Sequence, residues 1–221
     1  MTIDTILFDL DGTLLYTLED LMDSTNFALE SFGLPKRSLE EMRNFVGRGV
    51  NMQIHRAVPE GTDEETEKKV LVAFKEHYLK NGKNKTRLYD GIAEFLDELN
   101  AMGMKLAIVS NKIDESIKEL NRYYMGNRIP VAVGGRDDLP KKPARDLADI
   151  ALDKLGKDTS SAVFVGDSDV DIDTAKNLGI PCISVTWGFR KREELLAAGA
   201  KYMADTPQDV IRFIKELGEN K

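Results

Sequence analysis

Asp9 and Asp11 bracket Leu10, with Gly12 and Thr13 next and the apolar run Ile6-Leu7-Phe8 just before. The run reads as a short buried strand, which leaves two carboxylates at a strand's end. Buried like charges are expensive unless a cation or a shared proton relieves them. The pair is therefore a candidate centre for metal-assisted or acid–base chemistry. Gly12 marks the turn where the backbone bends and lets the loop fold around a ligand. A plain capping turn is the competing reading, because Asp, Gly and Thr all favour strand exits.

A second acidic group, Gly166-Asp167-Ser168-Asp169-Val170-Asp171 with Asp173 beyond it, follows the apolar run Ala162–Val165. Acidic residues also suit helix starts, but this cluster exceeds what a cap requires. If the two strands are neighbours, Asp9, Asp11 and Asp167 converge. Hard oxygen ligands point to magnesium, which binds through few carboxylates, water and substrate phosphate. Ser110-Asn111 closes another apolar run, Leu106–Val109. It offers neutral donors to a phosphoryl oxygen, although both residues are ordinary helix caps. In Leu139-Pro140-Lys141-Lys142-Pro143, Lys142 is a compact charge that could meet an anion or neutralise crowded carboxylates. A solvated lysine pair is the alternative there.

The elements that must position these residues alternate along the chain. Strands are expected at Thr5–Leu10, Leu106–Ser110, Val131–Val133, Ala162–Val165 and Cys182–Thr186, with a weaker one at Tyr202–Ala204. Helical periodicity fills Ile92–Met102, Ile113–Tyr124, Arg145–Leu155, Val170–Leu178 and Val210–Leu217. This pattern implies an α/β fold, a Rossmann-like parallel sheet covered on both faces, with ligands at the carboxyl ends of its strands. From about Tyr16 to Lys85 only helical patterning appears, over Leu18–Phe32, Leu39–Phe45, Val50–Ala57 and Glu64–Leu79. It reads as a small all-helical cap, residues 16–85, inserted after the first strand of a core made of residues 1–15 and 86–221. Hinges near Tyr16 and Thr86 would let it act as a lid; a simple excursion of packed helices is the other possibility.

Composition narrows the function classes. The chain has 221 residues, 42% hydrophobic and 31% charged, as expected of a soluble globular protein. Its net charge of −7 argues against a nucleic-acid partner. No apolar stretch is long enough for a membrane span, and that near the N-terminus is too short for a signal peptide. Cys182 is the single cysteine and cannot form an internal disulfide, which suits a reducing cytoplasm. His55 and His77 fall in amphipathic helical stretches and read as surface or packing residues.

Taken in order, Asp9-Leu10-Asp11-Gly12-Thr13, Ser110-Asn111, Lys142-Pro143 and Gly166-Asp167 with Asp171 resemble the four signatures of the haloacid-dehalogenase (HAD) superfamily of phosphatases. The flavour is that of its phosphoglycolate-phosphatase-like members. The segment 16–85 resembles their small cap, Phe45-Val46-Gly47-Arg48-Gly49 their substrate-facing cap loop, and Trp187-Gly188-Phe189-Arg190 the loop after their fifth strand. The resemblance implies a Mg2+-dependent phosphatase acting on a small phosphorylated metabolite. Asp9 would be the nucleophile and Asp11 the acid and base. Asp9, the main-chain carbonyl of Asp11, and Asp167 would hold the metal. Asp171 would support the metal site and orient Lys142, and Gly12, Thr13 and Gly166 would shape the loops. Ser110, Asn111 and Lys142 would bind the phosphoryl group, and Arg48 would contact a second anionic group. Two positions depart from the family pattern: Tyr16 stands where members often have Asp, and Arg145 replaces the second proline of the lysine motif. A β-phosphoglucomutase-like phosphotransferase or a pyrophosphatase could use the same core. A receiver-like signalling domain would share the acidic strand ends without needing the helical insertion.

Overall fold

The structure is a computed structural model and describes residues 2–219. Its strands are β1 (Thr5–Phe8), β2 (Leu15–Tyr16), β3 (Arg87–Leu88), β4 (Lys105–Ile113), β5 (Val131–Gly135), β6 (Ala162–Gly166), β7 (Cys182–Val185) and β8 (Tyr202–Ala204). Six of them form a parallel sheet in the order β5-β4-β1-β6-β7-β8. The chain leaves β1 for one side of the sheet and returns after β5 to build the other. The C-terminal ends of β1, β4 and β6 therefore meet at the switch point, where such sheets bind ligands. Register fixes the meeting, since Phe8 pairs with both Ile108 and Val165.

The sheet is covered on both faces, and alternation along β1 decides which side chain goes where. Ile6 and Phe8 join a cluster with Phe95 and Leu96 of α5 (Ile92–Ala101), Ile117 of α6 (Asp114–Leu120), and Val210 and Ile214 of the helix Pro207–Glu219. Leu7 faces the opposite layer, with Leu147 and Ala151 of α7 (Asp146–Leu155) and Ala175 and Leu178 of α8 (Asp169–Leu178). Burial on both sides explains why β1 and β6 read as unbroken apolar runs.

Between β2 and β3 lie α1 (Leu18–Glu30), α2 (Leu39–Phe45), α3 (Val50–Ala57) and α4 (Glu64–Asn81), packed around their own apolar cluster of Leu18, Leu29, Met42, Ile54, Val70 and Phe74. Ser38 and Glu41 close a capping box at α2, and Asp63 caps α4. The two crossings to the core are not bare loops. β2 pairs antiparallel with β3, Leu15 against Leu88 and Tyr16 against Arg87. Buried Asp20 accepts hydrogen bonds from the Lys85 and Thr86 main-chain N–H groups, at 3.0 and 2.8 Å. Tyr16 packs edge-on against Tyr89 and Phe189. Among the described residues no helix is long and apolar enough to cross a membrane.

Candidate active site

The loop after β1 is built by its own backbone. The Leu10 carbonyl accepts from Thr13, Leu14 and Leu15, while Gly12 N–H donates to Leu15. Gly12 has φ +88°, and a Cβ there would lie 2.2 Å from Asp167 Oδ2. Only glycine allows the turn and the close approach together. Gly166 serves the same end on β6, where a Cβ would meet Asp171 Cγ at 2.3 Å. Thr13 is buried, and its carbonyl receives the Trp187 indole N–H at 3.0 Å.

The turn sends the two carboxylates of the first motif apart. Asp9 stays with the core: Lys142 Nζ lies 2.9 Å from its Oδ1. Asp11 turns toward the helical insert, where Thr17 Oγ1 donates at 2.7 Å and Lys112 Nζ lies 3.0 and 3.1 Å from its two oxygens. Asp9, Asp167 and Asp171 come together, with one carboxylate oxygen of each within 4.8 Å of the others. Asp171 is fully committed there. One oxygen accepts from Lys142 Nζ at 2.8 Å, and the other from the Ser168 N–H and hydroxyl at 3.1 and 2.7 Å. Asp167 Oδ2 accepts the Phe189 N–H at 2.6 Å.

Three buried carboxylates face one buried ammonium. Burial opposes the charge of Lys142, but Asp171 and Asp9 hold its pKa above the ordinary lysine value. Burial pushes Asp9 up to about 6 against the pull of Lys142, and burial together with Asp171 and Asp9 raises Asp167 well above the usual carboxylate range. The cluster is thus short of positive charge, with one ammonium among three buried carboxylates. That donor set, all hard oxygen, fits a small divalent cation such as Mg2+.

A cavity of about 50 Å³ opens between these strand ends and the helical insert, lined by Asp9, Asp11, Ser110 and Lys112 from the core and by Gln53, Phe74 and Tyr78 from above. Ser110 sits on β4 with its side chain buried at the cavity wall. Asn111 lines the cavity too, but its amide is occupied. It accepts from the Lys142 N–H at 2.7 Å and donates to the Lys142 and Gly47 carbonyls, each at 3.0 Å. In this arrangement Asn111 positions Lys142 and the loop above it; its amide is not free for a phosphoryl oxygen.

Arg48 also differs from expectation. It does not line the cavity, because Gly47 and Gly49, at φ +107° and +86°, turn the loop so that its guanidinium reaches Asp169 at the start of α8, 2.6 Å away. Arg145 pairs with Asp149 along α7, outside the site. His55 pairs with Glu67 on the surface, and His77 stacks on Phe27, both away from the cluster. Lys112 belongs to none of the sequence motifs; its one signal is its place directly after Ser110-Asn111, a lysine beside a strand end. Arg190, within the loop after β7, donates to the Arg43 carbonyl and to that of Val46 at 3.0 Å, and stands 3.6 Å from Asp169.

A family model described as haloacid dehalogenase-like hydrolase matches residues 6–185. The phosphoglycolate phosphatase of Mesorhizobium japonicum is 35% identical over 191 residues, 85% of this chain and 84% of its own. That of Vibrio parahaemolyticus is 30% identical over 216 residues, 95% of each chain. A crystal structure provisionally named as a phosphoglycolate phosphatase, from Lactobacillus delbrueckii subsp. bulgaricus, superposes with a TM-score of 0.92 at 30% identity, covering 97% of this chain and 99% of that one.

Proposed function

The chain belongs to the haloacid dehalogenase-like hydrolase family, and on that premise we propose that it is a magnesium-dependent phosphatase of small phosphomonoesters, 2-phosphoglycolate among them, acting through a phosphoryl group carried on Asp9. The observation that carries the reading is Asp9 itself: a buried carboxylate beside Lys142 and the Asp167–Asp171 pair, at the wall of the cavity beneath the helical insert.

Asp9 and Asp167, with the main-chain carbonyl of Asp11, would hold the cation, while Asp171 fixes Lys142. A bound Mg2+ supplies positive charge that lets the anionic nucleophile and the phosphoryl oxygens approach each other. Ser110 and Lys142 steady those oxygens. An Asp9 oxygen forms a bond to phosphorus as the ester P–O bond breaks. The electron pair leaves on the alcohol oxygen, which takes a proton from Asp11. Asp11 then removes a proton from water as the water oxygen attacks the same phosphorus. The bond to Asp9 breaks, inorganic phosphate departs and Asp9 is a carboxylate again. Residues 16–85, which bring Phe74 and Tyr78 over the strand ends, serve as the cap that excludes bulk water during these steps.

Asp9→Asn tests the reading. It should abolish hydrolysis of 2-phosphoglycolate while circular dichroism and melting stay native-like. Turnover at the wild-type rate in that variant removes Asp9 from the nucleophile's role.

A further inference from the structure

Lys112 has no part in the chemistry above, yet it is the one lysine or arginine among the residues lining the central cavity. Its side chain is only 6% exposed, its ammonium is 3.0 Å from Asp11 and it lies over the Tyr78 ring, 4.7 Å from the centroid. Burial opposes its charge, but Asp11 and Tyr78 keep its pKa above the ordinary lysine value. Tyr78 reaches the same cavity from α4. It is 7% exposed, and its hydroxyl lies beside Lys112. Burial pushes that hydroxyl up to about 12, so it remains a donor. An ammonium has three donors, enough to keep Asp11 and serve a second acceptor. Leu21, Val50 and Phe74 make the surrounding wall apolar.

The position of this pair limits the ligand. In the reading above, which this inference extends, Asp11 stands at the oxygen of the departing alcohol. A cation 3.0 Å from Asp11 is within reach of atoms one or two bonds beyond that oxygen. We propose that Lys112 and Tyr78 are the specificity-determining pair of the site and bind a carboxylate attached directly to the ester carbon. The substrate class is then the phosphate ester of a short 2-hydroxy acid.

The test compares kcat/KM for 2-phosphoglycolate and for ethyl phosphate, which lacks the carboxylate, in wild type, Lys112→Met, Lys112→Arg and Tyr78→Phe with Mg2+ present. Wild type is expected to prefer 2-phosphoglycolate. Lys112→Met is expected to lose about 10–100-fold of that preference, mainly through KM, as for a lost charge-assisted hydrogen bond. Lys112→Arg should keep most of it, and Tyr78→Phe should lose a smaller share. Equal losses on both esters in Lys112→Met would overturn the proposal, because Lys112 would then act only through Asp11. A wild type indifferent to the carboxylate would overturn it too, leaving the phosphatase reading intact; a wild type inert toward both esters would end both. Should Lys112→Met fail to fold, Tyr78→Phe decides: an unchanged preference there overturns the paired assignment.

Discussion

At Asp9 the cost of the site is visible in one side chain. Its carboxyl is pushed up to about 6 from an ordinary 3.8, burial being the main cause. In the metal-free protein the folded state therefore keeps a proton that the unfolded state releases between those values. Stability from this group is complete below about pH 4 and is lost as pH rises through about 6, on the order of 2–3 kcal/mol in all. Asp167 is displaced in the same direction. A divalent cation reverses the trend by favouring both anions. We expect the EDTA-treated protein to melt at progressively lower temperature between about pH 4 and pH 7, and added Mg2+ to recover more at the upper end than at the lower. A melting temperature insensitive to both pH and Mg2+ would contradict the electrostatic picture. These acidic residues were legible because each motif directly follows an apolar strand. The roles of Arg48, Asn111 and Lys112 were not, since their partners Asp169, Gly47 and Asp11 lie 121, 64 and 101 residues away. No local pattern encodes such a pairing.

Among the elements, the loop after β7 ties the strand ends to the helices above. Its Phe189 N–H holds Asp167, its Phe189 ring joins the apolar cluster of α1–α4, and its Arg190 grips the Arg43 and Val46 carbonyls. Arg190 is only 12% exposed, whereas the Arg48–Asp169 pair is 40% and 37% exposed and worth little. Arg190→Ala should therefore loosen closure, raising KM for 2-phosphoglycolate by about tenfold, as loss of a buried charged donor implies. Arg48→Ala should change it by less than about threefold. Steady-state kinetics on the two variants checks this, and equal effects would contradict the ranking. The long elements could be read from the sequence because period-2 and period-3.6 burial leave clear patterns. The β2–β3 ribbon could not, being two residues on each side with its pairing set by tertiary contact. The strand β4 also runs on to Ile113, three residues past its expected end at Ser110.

Over the whole molecule, two apolar layers fix the sheet and a third cluster holds the helical insert, with the carboxylates at the seam between them. The α/β architecture followed from alternating strands and helices, and the convergence of Asp9 with Asp167 from β1 and β6 being neighbours. How tightly the insert closes had no sequence signature, because it depends on contacts such as Asn111 to Gly47 that exist only in the folded chain. The central claim is that Asp9 carries the phosphoryl group and Asp11 activates the water that removes it. It is tested most directly by mixing Asp11→Asn with p-nitrophenyl phosphate and Mg2+, quenching in acid and mapping the peptides by mass. That substrate's leaving group needs no proton, so the first transfer proceeds and the second stalls. One phosphoryl group on the peptide containing Asp9 is the expected result; wild-type turnover with no label, or a label on another residue, would contradict the account.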